Sequence, residues 1–202
     1  RQLRGRAQLA KASSMQRTIF DTPVVNSSMH WLSRLLLWLT GWHVEGVAPT
    51  APKYVLIAAP HTSNWDFPLT LMVCFVLRLN VHWMGKASLF PPIVGRVMTW
   101  LGGIPVHRER AGNLVQGMVS AFACSPRMAI VVSPEGTRSN VVHWKTGFYY
   151  IALGADVPIA LGYLDFKDKV AGIGRLLQPS GNISADMAEI RGFYADITGR
   201  NA

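Results

Sequence analysis

Residues that could carry out chemistry are concentrated in the segment PHTSNWDFPL, residues 60–69, between the apolar runs YVLIAA and LTLMVCFVL. It contains His61 and, five positions later, Asp66. A carboxylate on one ring nitrogen of a histidine fixes the tautomer and raises the basicity of the other nitrogen, as a general base for a hydroxyl requires. The segment therefore offers a His–Asp base, although a histidine in an ordinary polar loop has the same sequence appearance.

The spacing of this pair predicts its local structure. Five positions correspond to about 500° of rotation in a continuous helix, which leaves the two side chains about 140° apart. We therefore predict that His61 lies in a loop, that Ser63 or Asn64 caps a helix beginning near Trp65, and that Asp66 folds back from its first turn. Backbone amides near Asn64 and the helix start would then stabilise developing negative charge.

A second polar segment, VVSPEGTRSN, follows an apolar run and contains Glu135, Gly136, Thr137 and Arg138. A segment with a flexible glycine beside a guanidinium is poorly suited to the core and well suited to binding an anion, because the Arg138 guanidinium and the loop amides can all donate to a phosphate. A solvated turn with a local Glu–Arg pair is the structural alternative.

Two more basic residues follow short apolar runs, Lys86 in WMGK and Arg108 in GGIPVHR. Each alone is typical of a solvated strand end. Sites of α/β sheets, however, collect at the carboxyl ends of their strands. We therefore predict one His–Asp base surrounded by Lys86, Arg108 and Arg138.

The elements that must position these residues alternate along the chain. Apolar runs predict strands at 53–60, 81–86, 104–108, 157–166 and 169–181, and a strand followed by a loop at 128–136. They predict helices at 67–79, 91–102, 113–124, 146–155 and 183–197, the last with Ser184 or Asp186 near its cap. Alternation of this kind predicts an α/β fold, a single domain with a mostly central β-sheet flanked by helices. A length of 202 residues with 50% hydrophobic and 15% charged residues fits one such domain.

The apolar segment MHWLSRLLLWLTGW, Met29 to Trp42, precedes this domain. It is shorter than the roughly 18 to 20 apolar residues of a membrane-spanning helix. Its Trp and Leu content suits a helix at a membrane interface, with Gly41 at its end, and a core helix is equally compatible. We divide the chain into a basic leader at 1–26, flexible or foreign to the native chain since Met15 could initiate translation, a helical membrane-interface segment at 27–48, and an α/β domain at 49–202.

The chain carries 20 Lys and Arg against 11 Asp and Glu, a net charge of +9, which favours an anionic partner. Nucleic acid, a phospholipid surface and a phosphorylated or CoA-like substrate all qualify. A nucleic-acid-binding module is disfavoured because the basic residues are spread and no basic stripe with interleaved aromatics occurs. The two cysteines, Cys74 and Cys124, lack metal-ligand spacing, and we predict buried thiols in a reducing compartment.

Four motifs occur in order between residues 60 and 159: His with Asp five residues on, Gly-x-Ile leading to Arg, Pro-Glu-Gly-Thr-Arg-Ser, and Val-Pro-Ile. Their key residues are His61, Ser63 and Asp66; Gly102, Ile104 and Arg108; Pro134 to Ser139; and Val157, Pro158 and Ile159. In these motifs the sequence resembles the PlsC-type glycerophospholipid acyltransferases, the lysophosphatidate acyltransferase superfamily.

This resemblance implies acyl transfer from acyl-CoA or acyl-ACP to a hydroxyl of a lysolipid such as lysophosphatidate, in membrane phospholipid synthesis or remodelling. His61 would be the base, Asp66 its orienting partner, and the second and third motifs would bind the head group. No metal and no cofactor are expected. The resemblance further implies a monotopic enzyme at the cytoplasmic face of the membrane, whose N-terminal helix enters one leaflet. His61→Ala and Asp66→Ala are expected to abolish transfer and leave folding intact.

Three positions depart from the common pattern of that family. Pro60 stands where Asn is common, His107 where many members carry Asp, and Ser133 where Phe is usual. The acceptor therefore remains open between lysophosphatidate, another lysophospholipid and an acceptor without phosphate such as an aminolipid. A thioesterase or lipid hydrolase is disfavoured because Ser63 is only two residues from His61 and no Gly-x-Ser-x-Gly elbow occurs.

Overall fold

The computed structural model of the chain describes residues 17–106, 111–136 and 144–201. The strands in these ranges are β1 His43–Glu45, β2 Lys53–Ala59, β3 Val81–Lys86, β4 Gly103–Val106, β5 Met128–Val132, β6 Ile159–Asp165 and β7 Val170–Leu177. The α-helices are α1 Pro23–Leu39, α2 Asp66–Val76, α3 Val94–Trp100, α4 Ala111–Cys124, α5 Gly147–Ala155 and α6 Ile183–Phe193. Short 3-10 turns lie at Ile19–Asp21 and Ala87–Leu89.

The seven strands form one sheet in the order β1-β7-β6-β2-β5-β3-β4. Neighbouring strands are parallel except β6 and β7, which are antiparallel. Strand β2 is central, and Val55 pairs with Ile130 of β5 on one side and with Ile159 of β6 on the other. The predicted single α/β domain with a mostly central sheet flanked by helices is confirmed, and the sheet is mostly parallel.

The apolar core lies on both faces of the sheet because side chains of a strand alternate between faces. Val55 and Ile57 of β2 pack with residues of α4, α5 and α6. Tyr54 and Leu56, one position out of phase, pack with Phe75 of α2 on the opposite face. Strand β2 is therefore covered on both sides, and its carboxyl end is the place where polar groups can emerge.

Helix α1 begins at Pro23, six residues before the predicted apolar segment, because proline is well suited to the first turn of a helix. It is followed by Gly41 with φ +76°, so the predicted glycine at the helix end is confirmed. The predicted helical segment 27–48 is wrong beyond Leu39, since His43–Glu45 forms β1 and pairs with β7. After the glycine turn the chain is extended and completes the edge of the sheet.

Helix α1 has one side packed on the domain and one side exposed. Leu37 packs beside Leu69 of α2, and the buried ring of His30 contacts the carbonyl oxygen of Phe75 with Nδ1 at 3.0 Å. On the other side Trp31 and Trp38 are exposed, Trp38 by 73%. Across residues 17–106, 111–136 and 144–201, no helix combines the length and the apolar character needed to cross a membrane.

Two local predictions concern the cap of α6 and the burial of the cysteines. Helix α6 is capped by Asn182, whose side chain accepts the N–H of Ala185, so Ser184 and Asp186 lie near the cap as predicted and do not form it. Cys74 is buried as predicted, but Cys124 is exposed because it is the last residue of α4. An apolar neighbourhood in sequence therefore does not bury a side chain at the outer face of a helix end.

Candidate functional site

The imidazole of His61 and the carboxylate of Asp66 meet at the carboxyl end of β2. His61 Nδ1 lies 3.0 Å from Asp66 Oδ2, with the histidine side chain 27% exposed and the aspartate side chain 4% exposed. The chain leaves β2 at Ala59, passes through the loop 60–65 and enters α2 at Asp66. The predicted contact between a loop histidine and an aspartate in the first helical turn is therefore confirmed.

The buried carboxylate of Asp66 also organises the loop that contains His61. Its Oδ2 accepts the backbone N–H groups of Thr62 and Ser63, each at 2.8 Å, and its Oδ1 accepts the Ser63 hydroxyl at 2.8 Å. Burial acts to raise the pKa of Asp66, but the hydrogen bonds from His61 and Ser63 outweigh it, and the pKa lies below its ordinary value of 3.8. The carboxylate is thus ionised at neutral pH and fixes the tautomer of the imidazole, which leaves Nε2 to take a proton.

The start of α2 differs from the predicted cap. The residue before the helix is Trp65, in an αR conformation, and no side chain forms the cap hydrogen bond. Ser63 instead uses its hydroxyl to accept the N–H of Trp65 at 3.1 Å and to donate to Asp66. Ser63 is buried and occupied within the loop, whereas Asn64, the other predicted cap, is exposed.

Glu135 joins the same site from the loop after β5. Its Oε2 accepts the backbone N–H of His61 at 2.7 Å and lies 3.4 Å from the Ser133 hydroxyl. Burial raises the pKa of Glu135 above its ordinary value of 4.5, and the hydrogen bond from the His61 amide partly offsets this. Predicted as a substrate-binding residue, Glu135 is 7% exposed and holds the backbone of the histidine.

A cation that the sequence interpretation did not include lies beside the predicted anion loop. Gly136 has φ +63°, and a Cβ placed on it would lie 2.8 Å from Nζ of Lys145. The N–H of Lys145 donates to the carbonyl oxygen of Pro134 at 2.7 Å, which draws the two segments together. Lys145 lies outside the four motifs. The only sequence signal for its role is that it is a lysine a short distance after Pro-Glu-Gly.

Lys86 is the last residue of β3 and is exposed at the same edge of the sheet as His61. Strand β5 lies between β3 and β2, so the axes of β3 and β2 are about 10 Å apart. The predicted site residues Arg108, Thr137 and Arg138 lie outside the described residues. In the described part of the chain, no three His, Cys, Asp or Glu side chains are grouped as a metal ion would require.

Comparisons with known proteins bear on the family and the fold of this chain. A sequence model of the Acyltransferase family matches residues 42–160. A curated relative, 1-acyl-sn-glycerol-3-phosphate acyltransferase of Limnanthes alba, is 26% identical over 137 residues, which cover 64% of this chain and 48% of that protein. The chain thus spans about half the length of the curated relative it matches.

A solved structure shares the fold. The crystal structure of the 1-acyl-sn-glycerophosphate (LPA) acyltransferase PlsC from Thermotoga maritima superposes with a TM-score of 0.60 at 15% sequence identity. The match covers 96% of this chain and 90% of the other. At this identity the likeness concerns the fold.

Proposed function

The chain belongs to the Acyltransferase family, and from this premise we propose that it transfers a fatty acyl group from a thioester donor to a hydroxyl of a lysolipid. The observation that carries the proposal is the partly exposed imidazole of His61, held at Nδ1 by the buried carboxylate of Asp66. We assign the chemistry to residues 49–202, which include the whole loop and both elements that flank it.

In the proposed mechanism His61 acts as a general base without a covalent enzyme intermediate. Nε2 takes the proton of the acceptor hydroxyl while the hydroxyl oxygen attacks the thioester carbonyl. The tetrahedral intermediate then collapses, the C–S bond breaks, and the departing thiolate receives the proton from the imidazolium. Asp66 stabilises that imidazolium through Nδ1. The residues need no metal or cofactor for these steps.

The hydrogen bonds of the loop narrow the choice of an oxyanion donor. In the segment 61–65 the N–H groups of residues 61, 62, 63 and 65 donate to Glu135, Asp66, Asp66 and Ser63 respectively. We assign the remaining amide of this segment, that of Asn64, to the tetrahedral oxyanion. Asn64 is exposed and lies two residues before α2, near the helix N-terminus, where the helix dipole favours negative charge.

We propose a phosphorylated acceptor of the lysophosphatidate type. Lys145 beside Gly136 supplies a cation at the loop after β5, and Lys86 supplies another at the end of β3. Arg108 and Arg138 follow β4 and β5 in sequence and are proposed to complete the head-group site. The name of the Limnanthes alba relative points to the same acceptor class. The donor is a thioester of CoA or of an acyl carrier protein.

We further propose that the protein works at the cytoplasmic face of the membrane as a peripheral, monotopic protein. Exposed apolar side chains occur on α1, namely Val24, Trp31, Leu32, Leu35, Leu36, Trp38 and Leu39. A second group occurs on and just before α3, namely Leu89, Ile93, Val94, Val97 and Trp100. Exposed apolar surface of this extent is typical of membrane or protein contacts, and the net charge of +9 favours an anionic bilayer.

The experiment that tests the proposal is a screen of acceptors with the purified protein. An acyl thioester is incubated with lysophosphatidate, lysophospholipids without a terminal phosphate, and an aminolipid, and products are read by mass spectrometry. His61→Ala should abolish transfer, whereas the matched variant His43→Ala, at an exposed histidine of β1, should keep it. Release of free fatty acid at the same rate with and without an acceptor would identify a hydrolase and refute the proposal.

A further inference from the structure

The segment Thr198 to Asn201, which follows α6, lies against the loop that contains His61. The side-chain amide of Asn201 donates to the carbonyl oxygen of Thr62 at 2.8 Å, and its backbone N–H donates to the Thr62 hydroxyl at 3.1 Å. Thr62 is 7% exposed. Asn201 therefore supplies donors to both oxygens of the residue that directly follows His61.

The same segment is attached at its other end to the turn between β6 and β7. The carbonyl oxygen of Thr198 accepts the N–H of Phe166 at 2.9 Å. Between these attachments, a Cβ on Gly199 would lie 2.7 Å from the Thr62 hydroxyl, so the backbone contacts the loop directly. The guanidinium of Arg200 lies 5.3 Å from the ring centroid of Trp65, at the start of α2.

These contacts add to those of Asp66 in holding Thr62, the residue between His61 and Ser63. The N–H of Thr62 donates to Asp66, while its carbonyl and hydroxyl oxygens accept from Asn201. A residue fixed at its N–H and at its carbonyl has little freedom in φ and ψ. Because Thr62 is joined to His61, its backbone orientation acts together with the contacts of Asp66 and Glu135 on where the imidazole points.

We propose that Asn201 is a positioning residue for the general base, acting on His61 through Thr62. The expected effect of Asn201 on turnover rests on the proposed acyl transfer. Its expected effect on the order of the loop does not depend on that activity. Asn201 touches no reacting atom, and its contribution is to keep Nε2 of His61 within reach of the acceptor hydroxyl. Misplacement of a base by about 1 Å lowers turnover by up to about 10²-fold.

The test compares Asn201→Ala with Asn80→Ala. Both asparagines are exposed, and the side-chain amide of Asn80 also donates to a residue distant in sequence, Asp21. Asn80 is a control because it precedes β3 and so lies at the end of the sheet opposite the site. Loss of one hydrogen bond should raise the equilibrium constant for local opening of the loop about fivefold. We expect amide hydrogen exchange of residues 61–66 to become about fivefold faster in Asn201→Ala and to stay unchanged in Asn80→Ala.

Turnover supplies the second readout. Asn201→Ala should lower kcat about tenfold with the KM of both substrates within about twofold of wild type, because the base and not the binding surface is displaced. Unchanged exchange in 61–66, or an equal change in Asn80→Ala, would overturn the proposal. If the wild-type protein transfers no acyl group, the proposed function fails, and the exchange measurement still decides whether Asn201 holds the loop.

A second pair of variants covers the case in which Asn201→Ala does not fold. Thr62→Val removes the hydroxyl that accepts from Asn201 and keeps the shape, whereas Thr62→Ser keeps the hydroxyl. The serine variant should exchange more slowly in residues 61–66 and turn over about fivefold faster than the valine variant. Equal values for the two variants would contradict the positioning role.

Discussion

Replacing Asp66 by asparagine should separate the charge of this residue from its hydrogen bonds. The amide oxygen can take the place of Oδ2, where it accepts the N–H groups of Thr62 and Ser63 and that of the His61 ring. The amide NH₂ then faces the Ser63 hydroxyl oxygen, which can accept in place of donating. Two backbone donors at one position enforce this orientation, so the loop and the histidine tautomer are retained.

The expected loss of turnover follows from the missing charge. A carboxylate and an imidazolium with charge centres about 4 Å apart interact by about 4 kcal/mol at an effective dielectric constant of 20. Because the His61 side chain is 27% exposed, we reduce this to about 3 kcal/mol, and kcat of Asp66→Asn should fall about 10²-fold. Thermal unfolding should remain within a few degrees of wild type.

Asp66→Ala should behave differently. It leaves the N–H groups of Thr62 and Ser63 without their acceptor in a buried loop, at about 1 to 3 kcal/mol for each unsatisfied group. The motif alone suggested that this variant would fold normally, whereas the structure predicts a loss of several kcal/mol in the free energy of unfolding.

The assay is kcat with an acyl thioester and lysophosphatidate, measured beside thermal unfolding by circular dichroism. An Asp66→Asn variant with turnover within threefold of wild type would refute the electrostatic role of the carboxylate. An equal drop in melting temperature for the asparagine and alanine variants would show that the side-chain amide does not replace the hydrogen bonds of the carboxylate in Asp66→Asn.

Three further predictions concern pH, the acceptor and the membrane. Burial raises the pKa of Glu135, so the stability that this group contributes is complete below its ordinary pKa of 4.5 and is lost as pH rises through the higher pKa of the folded state. Glu135→Gln should therefore raise the free energy of unfolding at pH 7 and not at pH 4. Equal urea midpoints of variant and wild type at pH 7 would contradict this. Lys145→Ala should raise KM about tenfold for lysophosphatidate and leave acceptors without phosphate unchanged, since one charge-assisted contact is lost, and equal losses on both would exclude a phosphate contact. Trp38→Ser should weaken sedimentation with vesicles containing anionic lipid, whereas Tyr150→Ser, at an exposed aromatic of α5, should not; identical binding of the two variants would argue against membrane contact through α1.

The sequence by itself determined the features that depend on near neighbours. Alternating apolar runs predicted the strands and helices because side-chain periodicity follows from local backbone geometry. The distance from His61 to Asp66 predicted their contact because a loop followed by a helical turn can bring residues five apart together. The ordered motifs likewise led to the family, since each is read over a few consecutive residues.

Tertiary structure alone decided how distant groups contact the loop that contains His61. Glu135 accepts the N–H of His61 across 74 positions, and Asn201 donates to Thr62 across 139 positions. Both contacts depend on the order of strands in the sheet, which places the loop after β5 and the segment after α6 beside the end of β2. No local periodicity encodes that order, because it results from how the apolar faces of all the elements pack together.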